Sequence, residues 1–116
     1  DFQRCISNIL NNSIEAIHKT GTVAVSLFFE YNNGTRSNKV IISIKDTGQG
    51  VPNEILHQLG KEGFSFNKPN GSGLGLSFAK ECFNKWGGDI EIKSAQNQGT
   101  TIFLSLPYEN GQTNYV

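Results

Sequence analysis

The stretch KVIISIKDTGQGVP, residues 39–52, places one carboxylate, Asp46, between an apolar run and a glycine-rich turn. Apolar and polar side chains alternate before Asp46, which predicts a strand that ends at this residue. Gly48 and Gly50 let the backbone approach another group closely, and Pro52 suits the first turn of a short helix. Two interpretations of Asp46 stay open: a turn that caps its own backbone, or an acceptor for an exocyclic amine such as that of adenine.

Upstream of this stretch the pattern predicts one helix and one further strand. Apolar residues recur at helical spacing from Phe2 to Ile17, so we expect a helix that ends before Gly21. The run VAVSLFFEY, residues 23–31, is rich in β-branched and aromatic side chains and is typical of a strand. Because NNGTRSN has the composition of a turn, the two strands should form an antiparallel hairpin.

Downstream, a segment rich in glycine and asparagine, residues 60–73, has the composition of a mobile loop. A helix is predicted over 74–86, where Leu76 and Ala79 share an apolar face. DIEIKSA and GTTIFLSLP then predict a second hairpin. The expected architecture is a single α/β sandwich with a mixed, largely antiparallel sheet and helices packed on one face.

Composition narrows the class of protein. The chain has 116 residues, the size of one domain, and its 10 basic and 10 acidic residues give a formal net charge of zero. This balance argues against nucleic acid as a partner and against direct contact with an anionic membrane. Cys5 and Cys82 both lie in apolar helical patterns, which favours free thiols of a reducing compartment over a disulfide.

The first helix carries an unusual concentration of asparagine in NILNNSIEA, residues 8–16. Asn8 and Asn12 are four residues apart and therefore share one face of the helix. Asparagine is a modest helix former, so its repetition costs helix propensity. Amide oxygens are hard ligands that suit Mg²⁺. The alternative is a polar outer stripe with no ligand.

The third polar motif is GSGLGL, residues 71–76, which leads into the second long helix. Free backbone N–H groups and the helix dipole make such an entry favourable for anions. The segment FNKPN before it is a loop rather than the strand that a dinucleotide fingerprint requires. A P-loop is also excluded, because no Gly-Lys-Ser/Thr follows.

Taken in order, these motifs resemble the histidine-kinase catalytic and ATP-binding domain, of the superfamily that includes gyrase, Hsp90 and MutL. NILNNSIEAI is similar to its N box, DTGQGVP to its G1 box, GSGLGLSFAKE to its G2 box and GGDIEIKSAQNQGTTIFLSLP to its closing hairpin. NKPNGSGLGL is similar to the nitrogen-regulation type of sensor kinase. The resemblance implies a Bergerat-type fold over residues 1–107, followed by a loose tail over 108–116. The family's usual first strand has no counterpart before residue 1, so we interpret this stretch as an N-terminally trimmed domain.

The resemblance implies a site for ATP and Mg²⁺. Asn12 would coordinate the metal, and Asn8 would assist at the phosphates or the metal. Lys68 falls where related kinases keep a lysine in the loop that covers the nucleotide, and it could reach the terminal phosphate. These three residues are the implied catalytic residues. Asp46 would accept the adenine amine, beside glycines that let the ring lie close to the backbone. The implied nucleotide-binding residues are Asn8, Asn12, Asp46, Gly48, Gly50, Lys68, Gly71, Ser72, Gly73, Leu74, Gly75, Leu76 and Thr100, the last supporting the adenine pocket from the sheet.

The implied activity is that of a cytoplasmic protein-histidine kinase domain, whose parent can be membrane-anchored. It would transfer the γ-phosphate of ATP to a histidine on a separate dimerisation domain, with a response regulator downstream. His18 and His57 are not followed by the acidic residue that marks the acceptor, so neither is expected to accept phosphate.

Two alternatives remain open. A nucleotide-binding regulatory module without phosphotransfer is favoured by the altered lid sequence, LGKEGFSF at residues 59–66. A water-using ATPase of the same superfamily is opposed by Asn8, which stands where such ATPases usually carry a water-activating glutamate.

Overall fold

Residues 1–32, 37–51, 54 and 74–108 are described by a computed structural model, and they form two helices over one sheet. The elements are α1 (Phe2–Glu15), β1 (Val23–Asn32), β2 (Ser37–Asp46), α2 (Leu74–Lys85), β3 (Asp89–Ser94) and β4 (Thr100–Tyr108). The predicted helices and strands within these residues are all present and differ only at their ends. Of the helix predicted after Pro52, only Glu54 is described, and it is helical. The loop predicted over 60–73 and the tail from residue 109 lie outside the described residues.

The sheet has the strand order β1-β2-β4-β3, and all three pairings are antiparallel. The two predicted hairpins are therefore confirmed, and β2 pairs with β4 to join them. A mixed sheet also requires a parallel pair, and the described strands contain none. The layered α/β architecture is confirmed, because the buried side chains of both helices and of the inner strands form one core.

The core lies between the two helices and one face of β2, β4 and β3. On α1 the buried residues Cys5 and Ile9 are one turn apart, as the apolar periodicity predicts. Phe83 of α2 is fully buried, and its ring lies 5.3 Å from that of Trp86 and 6.3 Å from that of Phe2. The core residues are Cys5, Ile9, Ile44, Leu76, Ala79, Cys82, Phe83, Ile102, Leu104 and Leu106.

The two cysteines face each other across the contact between α1 and α2. Both are free and buried, as the sequence predicts. Burial and the neighbouring thiol of Cys82 together raise the pKa of Cys5 to about 11 from its ordinary value of 9.0. Cys5 is therefore protonated at neutral pH and acts as a small apolar core residue.

β1 is an edge strand of which Val23 packs against the core, while residues further along it form an exposed apolar row. Val25 and Leu27 pair with Ile44 and Ile42 of β2, so they lie on the face of the sheet that the helices cover elsewhere. Both are more than half exposed, as is Phe29. Neither helix of the described part has the length and apolarity needed to cross a lipid bilayer.

We expect Phe83→Ala to lower the free energy of unfolding by about 3–5 kcal/mol, because it leaves a large cavity between the helices. Phe29→Ala is the matched control: the residue is 64% exposed, so the same change should cost much less. Urea denaturation of both variants measures the difference. Equal losses would contradict the assignment of Phe83 to the core.

Candidate functional site

A row of three polar side chains lies at one end of the sheet face that carries the core. Thr100 of β4 pairs with Asp46 on one side and with Ser94 on the other. Two residues further along the same strands, Ile102 is paired in the same way with Ile44 and Ile92. Directly opposed residues point to the same face of a sheet, so the polar row continues the apolar row at the edge of the core.

Asp46 is held in place by the protein backbone. Its side chain is only 3% exposed. Oδ1 accepts from the backbone N–H of Gly48 at 2.8 Å and from that of Thr100 at 3.2 Å. A buried carboxylate needs such partners, since an unpaired charge is expensive to remove from water. Both N–H groups donate to the same oxygen, Oδ1, and these two bonds orient the carboxylate.

The loop that follows Asp46 is braced by the end of α1 and the turn after it. The backbone N–H of Gln49 donates to the carbonyl of Ala16 at 3.2 Å. Thr47 and Thr22 exchange two bonds: N–H of Thr47 to the carbonyl of Thr22 at 3.1 Å, and N–H of Thr22 to Oγ1 of Thr47 at 2.9 Å. His18 Nε2 and Gln49 Oε1 are 2.7 Å apart.

The other side of the loop is braced by the β3–β4 turn. The backbone N–H of Val51 donates to Oγ of Ser94 at 2.9 Å, and that of Asn97 donates to the carbonyl of Gln49. Asn97 has a φ of 65°, a conformation that asparagine tolerates better than most residues. The loop is thereby fixed between α1 and the hairpin.

Gly48 and Gly50 were expected to let a flat ring approach the backbone. In the structure the protein's own main chain makes the close approach. A Cβ at Gly48 would lie 2.7 Å from the carbonyl oxygen of Ala16, and one at Gly50 would lie 1.9 Å from that of Ala95. Glycine is therefore required at both positions by contacts of the loop with Ala16 and Ala95. That an adenine ring lies close to these glycines stays a prediction.

The asparagines of α1 lie on the side of the helix that meets this loop. Asn8, Asn12 and Ala16 are successive members of one i, i+4 row, and Ala16 is the residue that contacts Gly48 and Gln49. The side chains of Asn8 and Asn12 are half-buried. The predicted metal and phosphate ligands therefore lie on the helix row that meets the loop at Ala16.

Several predicted site residues lie elsewhere or outside the described residues. Leu76 belongs to the hydrophobic core, with 7% exposure, so only its backbone remains for a ligand. Leu74 and Gly75 begin α2. Within the described part of the chain no three His, Cys, Asp or Glu side chains form a metal cluster, and the metal prediction rests on the amide of Asn12. Lys68, Gly71, Ser72 and Gly73 lie outside the described residues.

Ser94 was not identified from the sequence, although a signal was present. In DIEIKS the inward positions are Ile90, Ile92 and Ser94, so a hydroxyl replaces the next core side chain. Asp46 follows Ile44 in the same way on β2. A polar residue at the end of an inward-facing apolar row is the pattern that these two sites share.

Comparison with known proteins assigns the chain to a family. The family described as histidine kinase-, DNA gyrase B-, and HSP90-like ATPase matches residues 1–110. Sporulation kinase C of Bacillus subtilis (strain 168) is 34% identical over 103 residues, which cover 89% of this chain and 22% of that protein. Sensor histidine kinase WalK of the same organism is 31% identical over 112 residues, covering 92% and 18% respectively.

A solved structure agrees with the sequence matches. The mycobacterial sensor histidine kinase MprB matches with a TM-score of 0.74 and 29% identity, over 90% of this chain and 70% of that chain. The chain spans about a fifth of the length of the curated relatives it matches.

We expect Gly99→Ala to destabilise the domain more than Gly87→Ala does. Both glycines have positive φ, 82° and 80°, so both substitutions carry a backbone cost of about 1–2 kcal/mol. A Cβ at Gly99 would also lie 2.1 Å from the carbonyl oxygen of Asp46, whereas the nearest atom to one at Gly87 is 3.6 Å away. Urea denaturation measures both losses, and equal values would contradict the clash with Asp46.

Proposed function

The chain belongs to the family of histidine kinase-, DNA gyrase B- and HSP90-like ATPases, and we propose that it is the ATP-binding catalytic domain of a sensor histidine kinase. It would transfer the γ-phosphate of ATP to a histidine on a separate dimerisation domain. The observation that carries the proposal is the buried Asp46, fixed by two backbone N–H groups beside a helix that bears two aligned asparagines.

ATP binding follows from membership of the family, and the finer proposal concerns how the base is held. Oδ1 of Asp46 is committed to two backbone donors. We assign the second oxygen, Oδ2, to the exocyclic amine of adenine. A charge-assisted hydrogen bond of this kind is roughly twice as strong as a neutral one. The backbone bonds orient the carboxylate before the nucleotide arrives, so little ordering remains to oppose binding.

The phosphates and the metal are assigned to the asparagine face of α1. The side-chain oxygen of Asn12 is a neutral, hard donor that suits Mg²⁺, which usually retains several water and phosphate ligands. Asn8, one turn earlier, would donate from its amide to a phosphate oxygen. The bound Mg²⁺–ATP supplies the transferable phosphoryl group and its charge neutralisation, and the protein contributes mainly position.

Asn8 also favours transfer to histidine over hydrolysis. An amide side chain has no basic group at neutral pH, so it cannot remove a proton from an attacking water. A water-using ATPase would need a base from another position of the chain. Phosphotransfer to an imidazole needs no such base when the acceptor nitrogen is unprotonated, because the nitrogen lone pair is itself the nucleophile.

The partners belong to the same proposal. They are a dimerisation domain with the acceptor histidine and a response regulator that takes the phosphate onward, as the sensor kinases among the relatives suggest. We place the domain in the cytoplasm, where ATP is available and free thiols such as Cys5 and Cys82 remain reduced.

We expect Asp46→Asn to weaken ATP binding by about 10- to 100-fold, because the charge-assisted bond to the adenine amine is lost. The asparagine oxygen can still accept from both backbone donors, so the fold should persist. Isothermal titration calorimetry measures the affinity. Asp89→Asn, an exposed aspartate on β3, is the control. Unchanged ATP affinity in Asp46→Asn would overturn the adenine assignment.

We expect Asn12→Ala to slow phosphotransfer about tenfold or more while its neighbour Asn11→Ala does not, because Asn11 is exposed and lies about 100° around the helix from Asn12. The chain is mixed with a dimerisation fragment bearing the acceptor histidine and with γ-labelled ATP. Acid-labile, alkali-stable label on the fragment measures transfer, and urea denaturation shows whether each variant folds.

The same assay separates the candidate functions. Phosphohistidine on the fragment supports the kinase, bound nucleotide without transfer supports a regulatory module, and rapid release of free phosphate supports a water-using ATPase. Equal transfer rates for Asn12→Ala and the unaltered chain would remove Asn12 from the metal site.

A further inference from the structure

Ser94 links three parts of the candidate site through one hydroxyl group. Its Oγ accepts from the backbone N–H of Val51 at 2.9 Å. It also lies 3.0 Å from the carbonyl oxygen of Gly99 and 2.8 Å from Oγ1 of Thr100. Thr100 in turn is joined to Asp46 by its backbone N–H. The bond from Val51 braces the loop after Asp46, whereas the contacts of the same hydroxyl with Gly99 and Thr100 have no role in the site described so far.

The hydrogen positions follow from counting donors and acceptors. Ser94 has one hydroxyl hydrogen and two lone pairs. If this hydrogen goes to the carbonyl of Gly99, then Thr100 must donate to Ser94, and all three contacts are hydrogen bonds. If the hydrogen goes to Thr100 instead, the carbonyl of Gly99 loses this donor. The first arrangement makes one more bond, so it is favoured in a half-buried site.

In that arrangement the hydrogen of Thr100 is committed to Ser94. Towards the site Thr100 can then offer only its lone pairs, and Asp46 beside it is likewise an acceptor. The floor of the site, formed by the side chains of Asp46 and Thr100, therefore presents hydrogen-bond acceptors and no side-chain donor at these two residues. Opposite the C6 substituent of a purine, such a floor favours an amine, which can donate a hydrogen bond, over a carbonyl oxygen, which cannot.

We propose that Ser94 is a positioning residue that makes Thr100 a hydrogen-bond acceptor and so gives the site part of its preference for a purine with an amine at C6. The inference rests on the proposed binding of adenine beside Asp46. It adds to that proposal a source of base selectivity in a residue that acts through Thr100.

ATP and ITP provide the sharpest comparison, because their bases differ only in the amine or carbonyl at C6 and the hydrogen on N1. In Ser94→Ala the hydroxyl of Thr100 is free to rotate and to donate to the carbonyl of ITP. We expect the ratio of ATP to ITP affinity, measured by calorimetry with Mg²⁺, to fall by about 3- to 10-fold, the effect of one hydrogen bond. Ser94→Thr, which keeps the hydroxyl, should restore the ratio.

A double-mutant cycle separates positioning from a merely structural role. In a Thr100→Val background there is no hydroxyl to orient, so Ser94→Ala should leave the ratio of ATP to ITP affinity unchanged. Ser105→Ala is the control on the same hairpin, since the Ser105 hydroxyl donates to the carbonyl of Asp89 at 3.5 Å and, among the described residues, makes no hydrogen bond to Ser94, Thr100 or Asp46. Ser94→Cys, with a weakly hydrogen-bonding thiol of similar size, replaces Ser94→Ala if the alanine variant does not fold.

The outcomes distinguish the two proposals. If the unaltered chain binds neither nucleotide, or binds ITP as well as ATP, the proposed adenine site is wrong. If it prefers ATP, and neither Ser94→Ala nor Ser94→Cys changes that preference, the role of Ser94 is overturned while the adenine site stands. A change of equal size in the Thr100→Val background would also overturn it, because Ser94 would then act without Thr100.

Discussion

The pairing of β2 with β4 is the constraint on which the remaining structure depends. These strands are distant in sequence, and their register sets Ile44 against Ile102 and Asp46 against Thr100. The first pair lies in the core, and the second forms the floor of the site. A slip of β2 by one residue would break both pairs and turn Ile44 and Asp46 to the other face of the sheet. Burial of the isoleucines therefore determines where the carboxylate lies.

The site is consequently an extension of the core rather than an addition to its surface. Its loop is fixed between the end of α1 and the β3–β4 turn, and the bonds that fix it are also bonds of the fold. A change in either brace should reach Asp46 through main-chain atoms. Residues of this loop thus contribute to stability and to ligand binding together, and separating the two roles requires measurements of both.

Much of this arrangement could be predicted from the sequence. The apolar periodicities located the helices and strands and placed Asp46 at the end of β2. The ligand-binding roles of Asp46, Asn12 and Thr100 were implied by the family resemblance and stay predictions. The strand order and the contact of Gly48 with Ala16 could not be predicted, because both depend on groups far apart in the chain. The bond between Ser94 and Val51, 43 residues apart, could not be predicted for the same reason, whereas the place of Ser94 at the end of an inward-facing apolar row was a local signal that was missed.

The buried thiols offer a chemical measure of how often the two helices separate. Alkylating reagents attack the thiolate, and Cys5, with a pKa of about 11 and no exposed surface, presents almost none of it in the closed protein. Labelling near neutral pH must then wait for openings that expose the interface between α1 and α2. Because one cysteine lies on each helix, mass spectrometry can tell whether both become reactive in the same opening or each in turn.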